Sequence, residues 1–247
     1  DSFEIEIPMS PSVKCGYQFR KPSDLSEYTL PVLNILIKAG EDYGIPNLLF
    51  NSLGLRGELY YDRKQENRTE NLKNALADFN KIMELPESSL PIALPHVAWA
   101  AHYAGKINIE LNRPETAKPY LDMAMSIYTK VGNRLNEGRV HFSWSICHFK
   151  ENNLKNAAIE ATKALECITL DDNRNVFAKA KYILGLVSAI ALDSKSLHAR
   201  EIIDEGIDAF DSSLIVFKEN SAEWFVSMSM ISSLYSKKNE LFHDGNW

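Results

Sequence analysis

The string Asn71-Leu72-Lys73-Asn74-Ala75 recurs 82 positions later as Asn153-Leu154-Lys155-Asn156-Ala157. The pair Asn133-Arg134 recurs 40 positions later as Asn173-Arg174. Since half of 82 is 41, both repeats indicate one common period close to 40 positions. An alanine keeps this period, at Ala75, Ala117, Ala157 and Ala199. Self-similarity at a fixed period of about 20–50 residues is typical of repeat architectures.

Each of these alanines begins a seam along one helix face, because positions four and then three residues further on lie on the same side of a helix. Those positions hold Phe79 and Ile82, Leu121 and Ala124, Ala161 and Ala164, and Ile203 and Gly206. In the preceding helix of each unit a small residue recurs, at Gly54, Gly105, Ser145 and Gly185. A glycine inside a helix costs about 0.5–1 kcal/mol, so it indicates close contact with a packed helix. Each unit is therefore predicted to be a helical hairpin that stacks on its neighbours.

Apolar residues at helical spacing predict helices along the chain from about residue 24 onward. The first is expected to end at Gly40 and Gly44, and Asn220 with Glu223 is expected to cap the last. No segment has the pattern of a β-hairpin or a βαβ unit, so the predicted fold class is all-α. The predicted segments after the first helix are roughly 46–62, 69–85, 92–111, 114–131, 134–150, 153–168, 174–192, 196–211 and 221–242.

The N-terminal residues 1–23 differ from this helical pattern. Phe3, Ile5 and Ile7 alternate with glutamates, which is typical of a short strand. We expect an extended arm that lies on the body of the protein or trails from a missing domain; the alternative is an arm that occupies the protein's own binding groove. The domain prediction is thus an arm over residues 1–23 and a helical repeat domain over residues 24–247.

Composition and motifs exclude several function classes. The 247 residues carry a net charge of −6, so direct nucleic-acid binding is not expected. No apolar run is long enough for a membrane span. His141 and His148 are two helical turns apart, too far for one metal ion, and no catalytic or cofactor-binding motif occurs, so neither an enzyme nor a metal or cofactor is expected. Three cysteines suit no disulfide framework, which favours the cytoplasm.

Leu53-Gly54 and Leu184-Gly185, followed by the Ala–bulky–Ala spacing of the second helices, resemble the tetratricopeptide-repeat (TPR) superfamily. The resemblance covers about residues 46–211 and includes four units. Their recurring alanines are spaced by 40 or 42 positions, which makes the units longer than the classical one of about 34 residues. The resemblance implies a right-handed superhelical α-solenoid of about four hairpins with flanking capping helices. The alternative is a generic α-solenoid, such as a HEAT-like or PCI-like array.

The resemblance also implies a concave groove, lined by the first helix of each unit, that binds a peptide or amphipathic helix of another protein. For its apolar members, burial in the core is an equally good interpretation, whereas the cations are expected to be exposed. The residues placed in the groove are Leu48, Asn51, Leu55, Trp99, His102, Lys106, Arg139, Phe142, Ile146, Lys179, Tyr182 and Leu186.

The expected function is therefore that of a non-enzymatic scaffold or adaptor. The alternative is a ligand- or peptide-sensing domain of a larger regulatory protein, such as a transcriptional regulator or a signalling ATPase. The apolar C-terminal segment, with Trp224, Phe225 and Met228, is expected to cap the stack; the alternative is a homo-oligomer formed through this helix.

Overall fold

The computed structural model describes residues 29–64, 67–85, 93–192, 196 and 198–242. Within these ranges the chain forms ten helices and no strand, which confirms the all-α class. The helices are α1 (Thr29–Asp42), α2 (Pro46–Asp62), α3 (Arg68–Glu84), α4 (Ala93–Glu110), α5 (Pro114–Lys130), α6 (Arg134–Lys150), α7 (Leu154–Cys167), α8 (Arg174–Ala191), α9 (Ala199–Leu214) and α10 (Ala222–Phe242).

The helices pack consecutively, each against its neighbours in the chain. Contacts are most extensive within the pairs α2/α3, α4/α5, α6/α7 and α8/α9, and we call the members of each pair its first and second helix. The first helices α4, α6 and α8 also contact one another in order, and α1 and α10 flank the four pairs. The arrangement agrees with an α-helical repeat.

The period of the sequence repeat is visible in the structure. The second helices α5 and α7 begin 40 positions apart, at Pro114 and Leu154, as do the first helices α6 and α8. The N-caps of α6 and α8 repeat as well, because the Asn133 and Asn173 side chains accept hydrogen bonds from backbone N–H groups three residues on, at 3.2 and 3.1 Å. The buried seams coincide: Ala117, Leu121 and Ala124 match Ala157, Ala161 and Ala164.

Small residues of the first helices lie against large residues of their second helices. A Cβ added at Gly105 would lie 2.5 Å from Leu121 Cδ2, and one at Gly185 would lie 2.9 Å from the Phe210 ring. Because no side chain fits into such a distance, glycine lets the two helices approach each other at these points.

Two predicted helix ends are corrected. Gly40 lies inside α1, packed against Leu49, and the helix continues to Asp42 before Gly44, whose φ of 61° is left-handed. At α10 the cap is Ser221, whose Oγ accepts from Trp224 N at 3.2 Å, rather than Asn220. The predicted arm over residues 1–23 lies outside the described residues, so the domain division stays a prediction.

Candidate functional site

The twelve predicted groove residues all lie on the first helices α2, α4, α6 and α8, at different depths. Asn51 is exposed, His102 is buried with 8% of its surface exposed, and the other ten are half-buried. All four first helices thus present some predicted residues with accessible surface. Leu48 and Leu55 are among the half-buried residues.

Five of the apolar groove residues also pack against the core. The Trp99 ring lies edge-on to Phe79 at 5.2 Å between centroids, and Tyr182 lies edge-on to Phe210 at 5.9 Å. These side chains can offer only part of their surface to a partner, and their role in binding stays a prediction. The remaining three are Phe142, Ile146 and Leu186.

A polar cluster lies between α2 and α4, formed by Glu58, Tyr61, Tyr103 and Lys106. The Lys106 Nζ lies 4.7 Å from the centroid of the Tyr61 ring and 4.4 Å from that of Tyr103. An ammonium over aromatic faces is attracted by their negative ring surface. Burial lowers the pKa of Lys106 to about 8, although nearby Asp62 opposes this shift. The ammonium is therefore poorly solvated.

The Glu58 carboxyl group connects the two helices. Tyr103 Oη donates a hydrogen bond to Glu58 Oε1 at 3.0 Å. Burial raises the pKa of Glu58 to about 7, and the hydrogen bond from Tyr103 only partly offsets this effect. Burial also raises the pKa of the Tyr61 and Tyr103 hydroxyls above the usual range. The cluster thus holds a carboxyl group that changes its charge near neutral pH.

His102 and Arg139 are brought together across α4 and α6. His102 Nε2 lies 2.8 Å from Ser143 Oγ, and this hydroxyl donates its proton to the backbone carbonyl of Arg139 at 3.1 Å. His102 must therefore donate from Nε2, which defines its neutral tautomer. Burial lowers the pKa of His102 well below its usual value, and the Lys106 and Arg139 charges act in the same direction. His102 is thus a neutral hydrogen-bonded residue between two cations.

The three predicted groove cations lie on successive first helices. Lys106 belongs to α4, Arg139 to α6 and Lys179 to α8, and Lys179 repeats the position of Arg139 one unit later. Arg139 Nη1 donates to the Asn136 side chain at 3.0 Å. Among the described residues, no carboxylate lies within ion-pair distance of any of the three.

The sequence reasoning missed three members of this region: Tyr61, Tyr103 and Ser143. A signal for two of them was present, because Tyr61 follows Glu58 by three residues and Tyr103 precedes Lys106 by three. Residues three apart lie on one helix face. The pair on α2 and the pair on α4 meet only because of how α2 packs in the folded chain, and a sequence pattern does not specify that packing.

Within the described ranges, no group of three or more His, Cys, Asp or Glu side chains is placed to hold a metal ion. No helix in the same ranges has the length and apolar character needed to cross a bilayer. The sequence matches no protein-family model, and no curated protein is significantly similar to it.

Proposed function

We propose that this chain is a non-enzymatic protein–protein interaction scaffold or adaptor of the TPR-like kind, which binds a peptide or amphipathic helix of a partner along its first helices. Four consecutive hairpins flanked by α1 and α10 support this proposal. In a right-handed superhelical stack of such hairpins, the second helices cover one side of the first helices. The other side then forms a concave groove.

Within the row of Lys106, Arg139 and Lys179, the last two cations are the observation that carries the proposal. The carboxylates of Asp62, Glu110 and Glu58 already stabilise the Lys106 charge in part. Arg139 and Lys179 are half-buried without a carboxylate partner, which is unfavourable, so packing alone does not account for these two cations on adjoining helices. The carboxylates of an acidic partner segment would pair with these cations, and the ion pairs would fix the orientation of the segment along the groove. The accessible parts of Phe142 and Tyr182 would supply apolar contacts beside them.

Charge reversal of the row tests the proposal. Arg139→Glu with Lys179→Glu should reduce the amount of partner captured from the native source by at least about tenfold. The matched control is Lys130→Glu with Lys155→Glu, which makes the same change of net charge at exposed positions of second helices. Equal capture by the two double variants, with circular dichroism showing both folded, would contradict the groove assignment.

The proposed site of action is the cytoplasm. The described cysteines, Cys147 and Cys167, are free thiols, and free thiols suit a reducing compartment.

A further inference from the structure

Helix α10 occupies the position of a first helix, but no second helix follows it among the described residues. It packs against α9 and contacts α8, as α6 packs against α5 and contacts α4. Ser227 and Leu234 are the buried residues of α10, and both face α9: Ser227 Oγ lies 3.4 Å from Ser213 Oγ, and Leu234 packs beside Gly206. These two residues are seven positions apart, so they lie on one side of α10.

The equivalent side of α6 identifies the register of α10. Val140 and Cys147 are also seven positions apart and both are buried in the cluster shared with α5, where Cys147 Sγ donates to Pro114 O. Matching Val140 with Ser227 and Cys147 with Leu234 places Ser232 of α10 at the small-residue position of the repeat. Gly105, Ser145 and Gly185, which are 40 positions apart, hold that position in the three preceding pairs, whereas Gly54 does not share this spacing.

In two of the preceding hairpins this small residue lies where the second helix of the pair packs. Leu121 lies against Gly105, and Phe210 lies against Gly185. On α10 the corresponding Ser232 is exposed. The face on which a second helix would pack is therefore uncovered by any described residue.

The uncovered face carries large apolar side chains around Ser232. Phe225 is 55% exposed, Met228 44% and Tyr235 45%, and we call these three residues with Ser232 the open face of α10. The stretch 224–236 that contains the open face has no charged residue. The largest apolar patch on a monomer is often functional, so the open face is a candidate interaction site.

We propose that the open face of α10 binds the same face of a second copy of this chain, with the two α10 helices antiparallel about a two-fold axis at Ser232. Ser232 is the central residue of α10 (Ala222–Phe242), and an isologous contact covers both open faces at once. The antiparallel arrangement is also the one that a second helix has in each hairpin, and serine at the crossing point allows close approach.

The open face is self-complementary in this arrangement. A two-fold axis at Ser232 places Met228 of one copy opposite Ser236 of the other, and Tyr235 opposite Ser229, so large side chains meet small ones. Ser229 and Ser236 are both exposed, and both also line an open groove between α8 and α10 that can receive part of a large side chain. No like charges oppose each other, because the axis places Lys237, Lys238 and Glu240 opposite the uncharged positions 227, 226 and 224 of the other copy.

The area available predicts a weak dimer. Three large side chains at about half exposure bury roughly 300 Å² per copy, and the exposed serines raise the total for both copies to roughly 1,000 Å². This area lies at the lower limit for specific association, so the dissociation constant should be micromolar.

Analytical ultracentrifugation of the full chain from about 1 to 200 µM tests the proposal, with a reversible monomer–dimer equilibrium as the expected result. Ser232→Glu should raise the dissociation constant at least about 100-fold, because two carboxylates would be buried against each other. The matched control is Ser126→Glu at an exposed position of α5, which should leave the dissociation constant unchanged. A chain that stays monomeric at the highest concentration, or a dimer that Ser232→Glu does not weaken, overturns the proposal.

Oxidative cross-linking tests the position of the axis. Ser232→Cys should form an intermolecular disulfide, because the two copies of residue 232 face each other within the usual Cα separation of about 4.4–6.8 Å. Ser236→Cys should not, because one helical turn from the axis separates the two cysteines by about 12 Å. The wild-type chain with its own cysteines gives the background. Faster cross-linking through Ser236→Cys than through Ser232→Cys would overturn the two-fold arrangement.

Discussion

Replacing Gly105 with alanine tests the close approach of first and second helices. A Cβ there would lie 2.5 Å from Cδ2 and 3.0 Å from Cγ of Leu121. Leu121 has 0% of its surface exposed and belongs to the core cluster shared by α4, α5 and α6. It cannot move away without displacing other packed side chains, since protein interiors are close-packed.

The expected change in stability is the difference between two effects. In an open helix, Gly→Ala raises the free energy of unfolding by about 0.8–1 kcal/mol. Overpacking a core lowers it by about 1–3 kcal/mol, and contact with an inner carbon of a buried leucine corresponds to the upper half of that range. Gly105→Ala should therefore lower the free energy of unfolding by about 1–2 kcal/mol.

A double-mutant cycle separates the contact from other effects. Leu121→Ala alone should cost about 2–5 kcal/mol, because it leaves a cavity in the core. In the double variant the new methyl group of residue 105 enters that cavity, so the combined loss should fall short of the sum by at least about 1 kcal/mol.

Urea unfolding followed by circular dichroism measures these differences. Ser145→Ala is the matched control, because serine already carries a Cβ and the change adds no volume. It removes only the hydrogen bond to Phe142 O and should lower the free energy of unfolding by about 1 kcal/mol. A Gly105→Ala variant more stable than wild type, or additive losses in the cycle, would refute the reasoning.

Two further predictions concern polar groups that join neighbouring helices. Burial raises the pKa of Glu58 from 4.5 to about 7, so its contribution to stability is complete below about pH 4.5 and is lost as the pH rises through 7. In urea titrations between pH 5 and 8, the free energy of unfolding of Glu58→Gln should therefore rise by up to about 3 kcal/mol relative to that of the wild type as the pH increases. A difference that stays constant with pH would contradict the raised pKa of Glu58. Asp78, only 3% exposed, accepts from Arg56 Nε and Nη2 at 2.9 and 2.6 Å. Asp78→Asn should cost about 2–3 kcal/mol, whereas Lys81→Ala, which removes an exposed ion pair with Glu41, should cost under about 1 kcal/mol in the same assay.

The helices were predictable because the same residue pattern recurs in several units of the sequence. The predicted segments 114–131, 134–150 and 153–168 differ from α5, α6 and α7 by one residue or less at each end. The recurring Asn133 and Asn173 are the N-caps of two first helices, so a local hydrogen bond determines the residue at which each of these helices begins.

The depth of the predicted site residues was less predictable. A first helix in a stack has neighbours on several sides, so a stripe of residues along it meets both solvent and other helices. Trp99, for example, lies on the same stripe as Lys106, but its ring packs in the aromatic core beside Phe79. Periodicity identifies a face, whereas the neighbours that cover it come from contacts distant in sequence.

The polar cluster between α2 and α4 lies where the chain departs from its own repeat. The positions equivalent to Lys106 in the next two units hold Ile146 and Leu186, and both pack against core clusters. The stack therefore accommodates an apolar side chain at this position in two later pairs. A half-buried lysine with a pKa of about 8 costs stability that an isoleucine would not, and the nearby carboxylates and the two tyrosine faces only partly offset that cost. Packing thus favours an apolar residue at position 106. Departures from local packing rules that lower stability concentrate at functional sites, so this departure agrees with the proposed place of Lys106 in the groove, which the binding experiment has to test.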